Sequence, residues 1–136
     1  MVIDTSAVIA ILRSEEEAEN FLTLIADAPV KPRMSAVSLV EAGLALSDSE
    51  YDLLIHRLIP QLEIAIVQFD AATAFLAIEA SRRYGKGRGK SKARLNFGDC
   101  CSYATAKALA MPLLFKGDDF LHTDIEPVTK SRRSPI

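Results

Sequence analysis

The chain has 136 residues, of which 49% are hydrophobic and 25% are charged. This length suits a single domain with its own apolar core, and the composition excludes collagen-like, disordered and coiled-coil proteins. Charged residues interrupt every apolar run well before the roughly 20 residues that a membrane-spanning helix needs. Asp4 follows a short apolar start with no basic region before it, so a secretory signal is not expected. We predict a cytoplasmic protein without a membrane segment.

The formal net charge of −2 conceals one concentrated basic segment between residues 82 and 94. Seven of the 16 basic residues fall there with no acid among them, which leaves nine basic against 18 acidic residues elsewhere. A net-acidic body with one basic segment can guide a polyanion to one place, although a solvated loop has the same composition. The members of this basic segment are Arg82, Arg83, Lys86, Arg88, Lys90, Lys92 and Arg94.

Short β-like runs alternate with helical patterns along the chain. Residues whose side chains can cap a helix mark the predicted helix starts. The first half predicts a strand at 2–3, a helix at 7–12 capped by Ser6, a helix that Ser14 caps and that ends at Ala28, an edge-like or brief strand at 31–34, and a helix that starts at Ser35 or Ser38 and ends near Leu46. The second half predicts a helix at 48–58, a strand at 62–69, a helix at 71–84 capped by Asp70, a helix at 97–110 capped by Asn96, and a strand at 113–115.

This order of elements predicts one domain over residues 1–128, followed by a basic and flexible tail at 129–136. Strands separated by helices imply a mostly parallel α/β sheet that is covered on both faces. In such sheets the functional site lies beyond the carboxyl ends of the strands, where the strand order reverses.

Acidic residues occur where that sheet would bring them together. Asp4 follows the first predicted strand, and the pair Asp118-Asp119 follows the last. Glu41 is the only charged residue of an apolar helix, and Asp99 lies in the first turn of another. Each acid also has a local structural explanation, such as an Asx turn, a capping box of Glu41 with Ser38, or a favourable helix-dipole position.

Four carboxylates at one sheet edge would repel each other unless a cation neutralised them. Oxygen ligands without clustered histidines or cysteines favour Mg²⁺ or Mn²⁺ over zinc. Such a site supports phosphoryl hydrolysis, and the basic segment would then hold the phosphate backbone of a nucleic acid. The Ser6 hydroxyl lies close enough in sequence to orient Asp4. The adjacent Cys100 and Cys101 suit neither a disulfide nor a zinc clamp, and we expect buried, inert thiols.

Several motifs in order resemble the PIN-domain ribonucleases, in particular the VapC toxins of bacterial type II toxin–antitoxin pairs. The resemblance extends from Met1 to about Val128. The motifs that carry it are Val2-Ile3-Asp4-Thr5-Ser6, Ser38-x-x-Glu41, Leu95-Asn96-Phe97-Gly98-Asp99-Cys100, and Leu114-Phe115-Lys116-Gly117-Asp118-Asp119-Phe120 with Thr123-Asp124-Ile125 behind it.

This resemblance implies a three-layer α/β/α fold and an endoribonuclease that depends on Mg²⁺ or Mn²⁺ and inhibits translation. It also implies a cognate VapB-type antitoxin and a homodimer. By position, Asp4 and Asp99 match the family's metal ligands and Glu41 its helix-borne acid. Either Asp118 or Asp119 fits the fourth acid, and the Asp-Phe pairing favours Asp119, with Asp118 in a supporting role.

Two other functions are compatible with the same residues. One is an aspartyl-phosphate receiver or phosphotransferase, with Asp4 as phosphoacceptor and Lys116 as a candidate phosphate contact. The other is a catalytically inactive domain that binds RNA through the basic segment. The sequence does not choose between tRNA, rRNA and mRNA as the target.

Overall fold

The computed structural model describes residues 1–128 and shows a parallel four-stranded sheet with helices on both faces. The predicted three-layer α/β/α fold is confirmed. The tail at 129–136 lies outside the described residues. The strands are β1 (Val2–Ile3), β2 (Arg33–Ser35), β3 (Ala65–Val67) and β4 (Leu113–Leu114). The helices are α1 (Thr5–Leu12), α2 (Ala18–Asp27), α3 (Ala36–Leu46), α4 (Ile55–Gln61), α5 (Ala71–Tyr84) and α6 (Phe97–Leu109).

Each face of the sheet carries its own hydrophobic core. Successive strand residues point to opposite faces, so Val2 and Leu113 pack in the core beneath α5 and α6. Their neighbours Ile3 and Leu114 pack in the core beneath the first four helices. Because both faces are buried, these strands are continuously apolar rather than alternating.

The strand order β3-β2-β1-β4 places the predicted switch between β1 and β4. The chain builds outward from β1 to β3 and then crosses back to place β4 on the other side of β1. The backbone N–H of Asp4 donates to the carbonyl of Leu114 at 2.9 Å. The predicted proximity of Asp4 to the segment after β4 therefore follows directly from the topology.

The first two predicted helix starts are wrong. Asp4, rather than Ser6, caps α1, because its carboxylate accepts the N–H of Ser6. Ser14 does not cap α2, which begins only at Ala18. Ser14 instead has a left-handed backbone with φ of 51° and ends the preceding helix, where Glu15 donates its N–H to the carbonyl of Ala10.

The middle of the chain also departs from the prediction. The helix expected at 48–58 spans Ile55–Gln61, because Asp48 takes a left-handed backbone and residues 47–54 form turns. Strand β2 lies inside the sheet rather than at its edge, and β3, which is shorter than the predicted strand at 62–69, is an edge strand. The helices capped by Asp70 and Asn96 are confirmed.

Within residues 1–128, no helix is both long and apolar enough to cross a membrane.

The end of α6 offers a test of the fold. Ala110 follows this helix with a left-handed backbone, φ 51° and ψ 46°, which a Cβ atom disfavours. We expect Ala110→Gly to stabilise the protein by about 0.5 to 1 kcal/mol. The matched change Ala108→Gly, inside the same helix, should destabilise it by about 1 kcal/mol. Urea unfolding of both variants measures the change in the free energy of unfolding. Changes of the same sign in the two variants would contradict the assigned end of α6.

Candidate active site

The carboxylate of Asp4 is the centre of a buried hydrogen-bond network. Its Oδ2 accepts the backbone N–H of Ser6 at 3.0 Å and the Ser6 hydroxyl at 2.6 Å, and its Oδ1 accepts the hydroxyl of Ser102 at 2.5 Å. Asp4 itself is only 4% exposed. Each carboxylate oxygen has two acceptor positions, so these three donors leave one position on Oδ1 for a further ligand.

A chain of buried hydroxyls continues from Asp4 to α3. Because Ser102 uses its only hydroxyl proton on Asp4, the 3.1 Å contact between the hydroxyls of Ser38 and Ser102 is donated by Ser38. The carbonyl of Ser38 also accepts the hydroxyl of Thr5 at 3.2 Å. The two serines are almost fully buried. The network thus joins α1, α3 and α6 directly below the acidic residues.

The sequence prediction missed this role of Ser38 and Ser102. The predicted capping box of Ser38 with Glu41 is wrong, because Ser35 caps α3 by accepting the N–H of Val37. A usable signal was nevertheless present. Ser102 lies one helical turn after Asp99, and Ser38 lies one turn before Glu41, so each serine shares a helix face with an acid.

Asp99 is held at the start of α6 by a reciprocal capping box. The Asn96 side chain accepts the N–H of Asp99 at 2.8 Å, and Asp99 Oδ2 accepts the N–H of Asn96 at 3.0 Å. Burial, together with the charges of Asp4, Asp119 and Glu41, raises the pKa of Asp99 to about 6 against the opposing hydrogen bond from Asn96. A nearby cation would remove this repulsion and keep Asp99 ionised.

Glu41 reaches this region because residue 98 is a glycine. A Cβ atom at Gly98 would lie 1.9 Å from Glu41 Oε2, so any other residue would displace the carboxylate or separate α3 from α6. The half-buried Glu41 therefore packs against the first turn of the helix that carries Asp99.

The segment after β4 brings the fourth acid to the same edge. The backbone N–H of Lys116 donates to the Ser6 hydroxyl at 3.0 Å, which anchors this segment beside Asp4. Gly117 turns the chain with a φ of 93°, and the following pair Asp118-Asp119 is exposed. Asp4, Glu41 and Asp119 therefore all act electrostatically on Asp99. However, no three acids within residues 1–128 lie close enough to enclose one ion in this conformation.

The basic segment lies partly on a helix and partly on a loop. Arg82 and Arg83 occupy the last turn of α5, and the other five members follow in an exposed loop. Arg83 is partly committed within the protein, since it donates to the Tyr84 hydroxyl at 2.8 Å and lies 4.0 Å from Asp124. The loop ends at Leu95, one residue before the cap of α6, so the basic segment and Asp99 are close in sequence and in space.

Two other predictions have clear outcomes. The ammonium of Lys116 forms ion pairs with Glu15 at 2.5 Å and Glu17 at 3.4 Å, which disfavours the phosphate contact that a receiver domain would need. Cys100 and Cys101 are buried as predicted, and burial raises the pKa of Cys101 to about 11. Both thiols are therefore expected to stay protonated near neutral pH, since the pKa of Cys100 is raised as well.

Comparison with known proteins identifies the family. A family model described as the PIN domain matches residues 1–126. The chain is 45% identical to the Ribonuclease VapC of Mycolicibacterium smegmatis over 135 residues, which cover 94% of this chain and 99% of the relative. It is 44% identical to Ribonuclease VapC28 of Mycobacterium tuberculosis over 130 residues, which cover 93% and 96%. The chain belongs to the PIN-domain family and, within it, to the VapC ribonucleases.

The fold comparison agrees with this membership. The crystal structure of Mycobacterium tuberculosis VapC20, described as a toxin that cleaves the sarcin-ricin loop, superposes with a TM-score of 0.70. The two chains are 16% identical, and the match covers 93% of this chain and 98% of the other. The α/β fold is therefore shared across a large sequence distance.

The raised pKa of Asp99 predicts that this acid destabilises the metal-free protein. The folded state binds a proton at about pH 6 and the unfolded chain at about pH 4, so the stability contribution of Asp99 falls as pH rises through this window. Asp99→Asn removes the charge and keeps an oxygen that can accept the Asn96 N–H. With chelator present, we expect this variant to be more stable than the parent near pH 7, by up to about 3 kcal/mol, with the difference lost near pH 4.

Urea unfolding at several pH values measures this difference. A variant that is less stable than the parent near pH 7 would contradict the electrostatic account of Asp99. Asp70→Asn provides a matched control, because Asp70 also accepts hydrogen bonds at a helix N-terminus but its pKa is lowered rather than raised.

Proposed function

We propose that the protein is a metal-dependent endoribonuclease that acts as the toxin of a toxin–antitoxin pair and inhibits translation. The observation that carries the proposal is the convergence of Asp4, Glu41 and Asp119 on the buried Asp99. Membership among the VapC ribonucleases supports cleavage of RNA. The same membership supports inhibition by a VapB-type antitoxin and assembly as a homodimer.

The donor set at the sheet edge fits Mg²⁺ or Mn²⁺. Asp4 Oδ1 has one acceptor position left, and Asp99 uses only Oδ2 in its hydrogen bond to the chain. Mg²⁺ keeps several waters and commonly takes only one or two protein carboxylates, so a site without a three-acid cage suits it. Asp4 and Asp99 would hold the ion, with Asp119 completing the acidic edge. When bound, the ion supplies positive charge beside the phosphate and makes water more acidic.

The remaining side chains have separate tasks in hydrolysis. Glu41 either helps to bind the ion or takes a proton from the water that attacks phosphorus. The water oxygen bonds to phosphorus as the bond from phosphorus to the 3′-oxygen breaks, and the 3′-oxygen takes a proton from solvent, which leaves a 3′-hydroxyl on one fragment and a 5′-phosphate on the other. Ser6 holds the orientation of Asp4 and anchors the segment that carries Asp118 and Asp119. The basic segment holds the phosphate backbone.

RNA cleavage by antitoxin-free protein tests the proposal. With end-labelled total RNA, we expect cuts in Mg²⁺ or Mn²⁺ that disappear with chelator. Asp99→Asn and Asp119→Asn should reduce the rate by at least about 100-fold, since each removes a charge from the site. Glu63→Gln is the matched control, because Glu63 precedes β3 at the opposite edge of the sheet and, among residues 1–128, pairs only with the exposed Lys31.

Each result separates the alternatives. Cleavage that survives in Asp99→Asn would indicate a contaminating nuclease. RNA binding without metal-dependent cleavage would favour an inactive binding domain, and acid-labile phosphorylation of Asp4 would favour a phosphotransferase. If Asp118→Asn loses activity while Asp119→Asn keeps it, the fourth acid is Asp118.

The hydroxyl chain generates a second prediction for the metal site. Ser102→Ala removes one of the three donors to Asp4 and should weaken Mn²⁺ binding by about tenfold or more, as expected for a residue that orients a ligand. Thr105→Val is the matched control, because it removes a buried hydroxyl from the same helix, and within the described part of the chain this hydroxyl bonds only to the Cys101 carbonyl. Calorimetric titration with Mn²⁺ measures both variants. Equal affinity in the two variants would show that Ser102 supports the fold but not the site.

A further inference from the structure

An open apolar groove lies between α5 and α6, beside the acidic edge. Its volume is about 590 Å³, within the range of small-ligand sites. One wall is the face of α5 that carries Ala74, Ala77 and Ile78, whose first two members leave room between the helices. Phe97 and the buried cysteines of α6 form the opposite wall. The roles assigned above involve two arginines and the capping residue at its rim, but they leave its apolar walls without a function.

Phe97 is the most unusual residue of the groove. It is the first residue of α6 and is 78% exposed, although a ring of this size is normally buried. Its neighbour Gly98 contacts the Glu41 carboxylate, and Asp99 follows within the same helical turn. Phe97 and Asp99 are therefore two residues apart in the first turn of α6, so an exposed aromatic ring lies at the same helix end as an acid of the candidate site.

The charges around the groove identify the chemistry of its occupant. Arg82 and Arg88 line it, and none of its lining residues, all of which lie within the described chain, is acidic. The aromatic face and the small side chains suit a flat ring, and the arginines suit a negatively charged group attached to that ring. Aromatic stacking beside a basic track is the general mode by which proteins bind single-stranded nucleic acid.

We infer that this groove binds an unpaired base of the RNA, stacked on Phe97, with the flanking phosphates held by Arg82 and Arg88. The inference rests on the proposed function and extends it, because it assigns the site a base-binding subsite next to the scissile bond. A stacked base would limit cleavage to RNA segments in which that base is unpaired. Stacking tolerates different bases, so this subsite selects exposed single strands rather than one sequence.

Binding of a single-stranded RNA that contains 2-aminopurine tests the inference. The Asp99→Asn background prevents cleavage, and stacking is measured by quenching of the fluorescent base. Phe97→Ala should weaken binding by about tenfold and abolish the quenching, since one base–aromatic stack is lost. Phe97→Tyr should preserve both signals, whereas Phe97→Leu, which keeps the apolar bulk without an aromatic face, should lose both.

Phe75→Ala is the matched control, because Phe75 is 72% exposed on α5 but does not line the groove. We expect this change to alter affinity by less than about twofold, as for an ordinary surface substitution. Equal affinity of Phe97→Ala and Phe75→Ala would overturn the inference. So would full binding by Phe97→Leu, or a change of oligomeric state in Phe97→Ala by light scattering, because both point to a protein-contact surface.

Cleavage by the parent protein, measured in parallel with Mn²⁺, separates the two levels of the proposal. If the parent cleaves RNA and Phe97→Ala binds it normally, only the base-binding groove is wrong. If the parent does not cleave and the Asp99→Asn protein does not bind RNA, the proposed function fails, and the inference fails with it.

Discussion

The burial of the Asp4 carboxylate is the constraint on which the rest of the site depends. A buried ionised group costs several kcal/mol unless hydrogen-bond donors replace the lost water. The chain supplies three donors from Ser6 and Ser102, and Ser38 supports the second of these serines. These residues lie on α1, α6 and α3. Satisfying one charge therefore sets the relative positions of three helices, two of which carry the other buried or half-buried acids.

The surroundings of Asp99, unlike those of Asp4, disfavour the ionised carboxylate more than they stabilise it. Its capping box stabilises the start of α6, but burial and three neighbouring carboxylates oppose its ionised form. Gly98 increases the repulsion, because the absence of a side chain at residue 98 lets the Glu41 carboxylate lie against the first turn of α6. Such a cluster lowers the stability of the metal-free protein and is best explained by a function that needs the charge. The fold tolerates the cluster because two large apolar cores on either side of the sheet stabilise the same strands.

The arrangement of charge follows from the short distance between the basic segment and α6. Arg94 is separated from the capping residue Asn96 by a single buried residue, Leu95, which anchors the loop beside Gly85. One continuous stretch of chain therefore presents cations, then an exposed aromatic ring, then the acid Asp99. This order allows a polyanion to be attracted beside a site whose own charge would repel it.

The sequence by itself determined the parallel α/β order, the caps formed by Asp70 and Asn96, and the four candidate acids, which either follow strands or lie on helices. These features depend on local hydrogen bonds and on the alternation of strands with helices, which neighbouring residues specify. The capping role of Asp4, the interior position of β2 and the hydroxyl chain between Ser38 and Ser102 were decided by the tertiary structure. Ser38 and Ser102 are 64 residues apart, and a small hydroxyl carries no signal of its partner until packing excludes water from both.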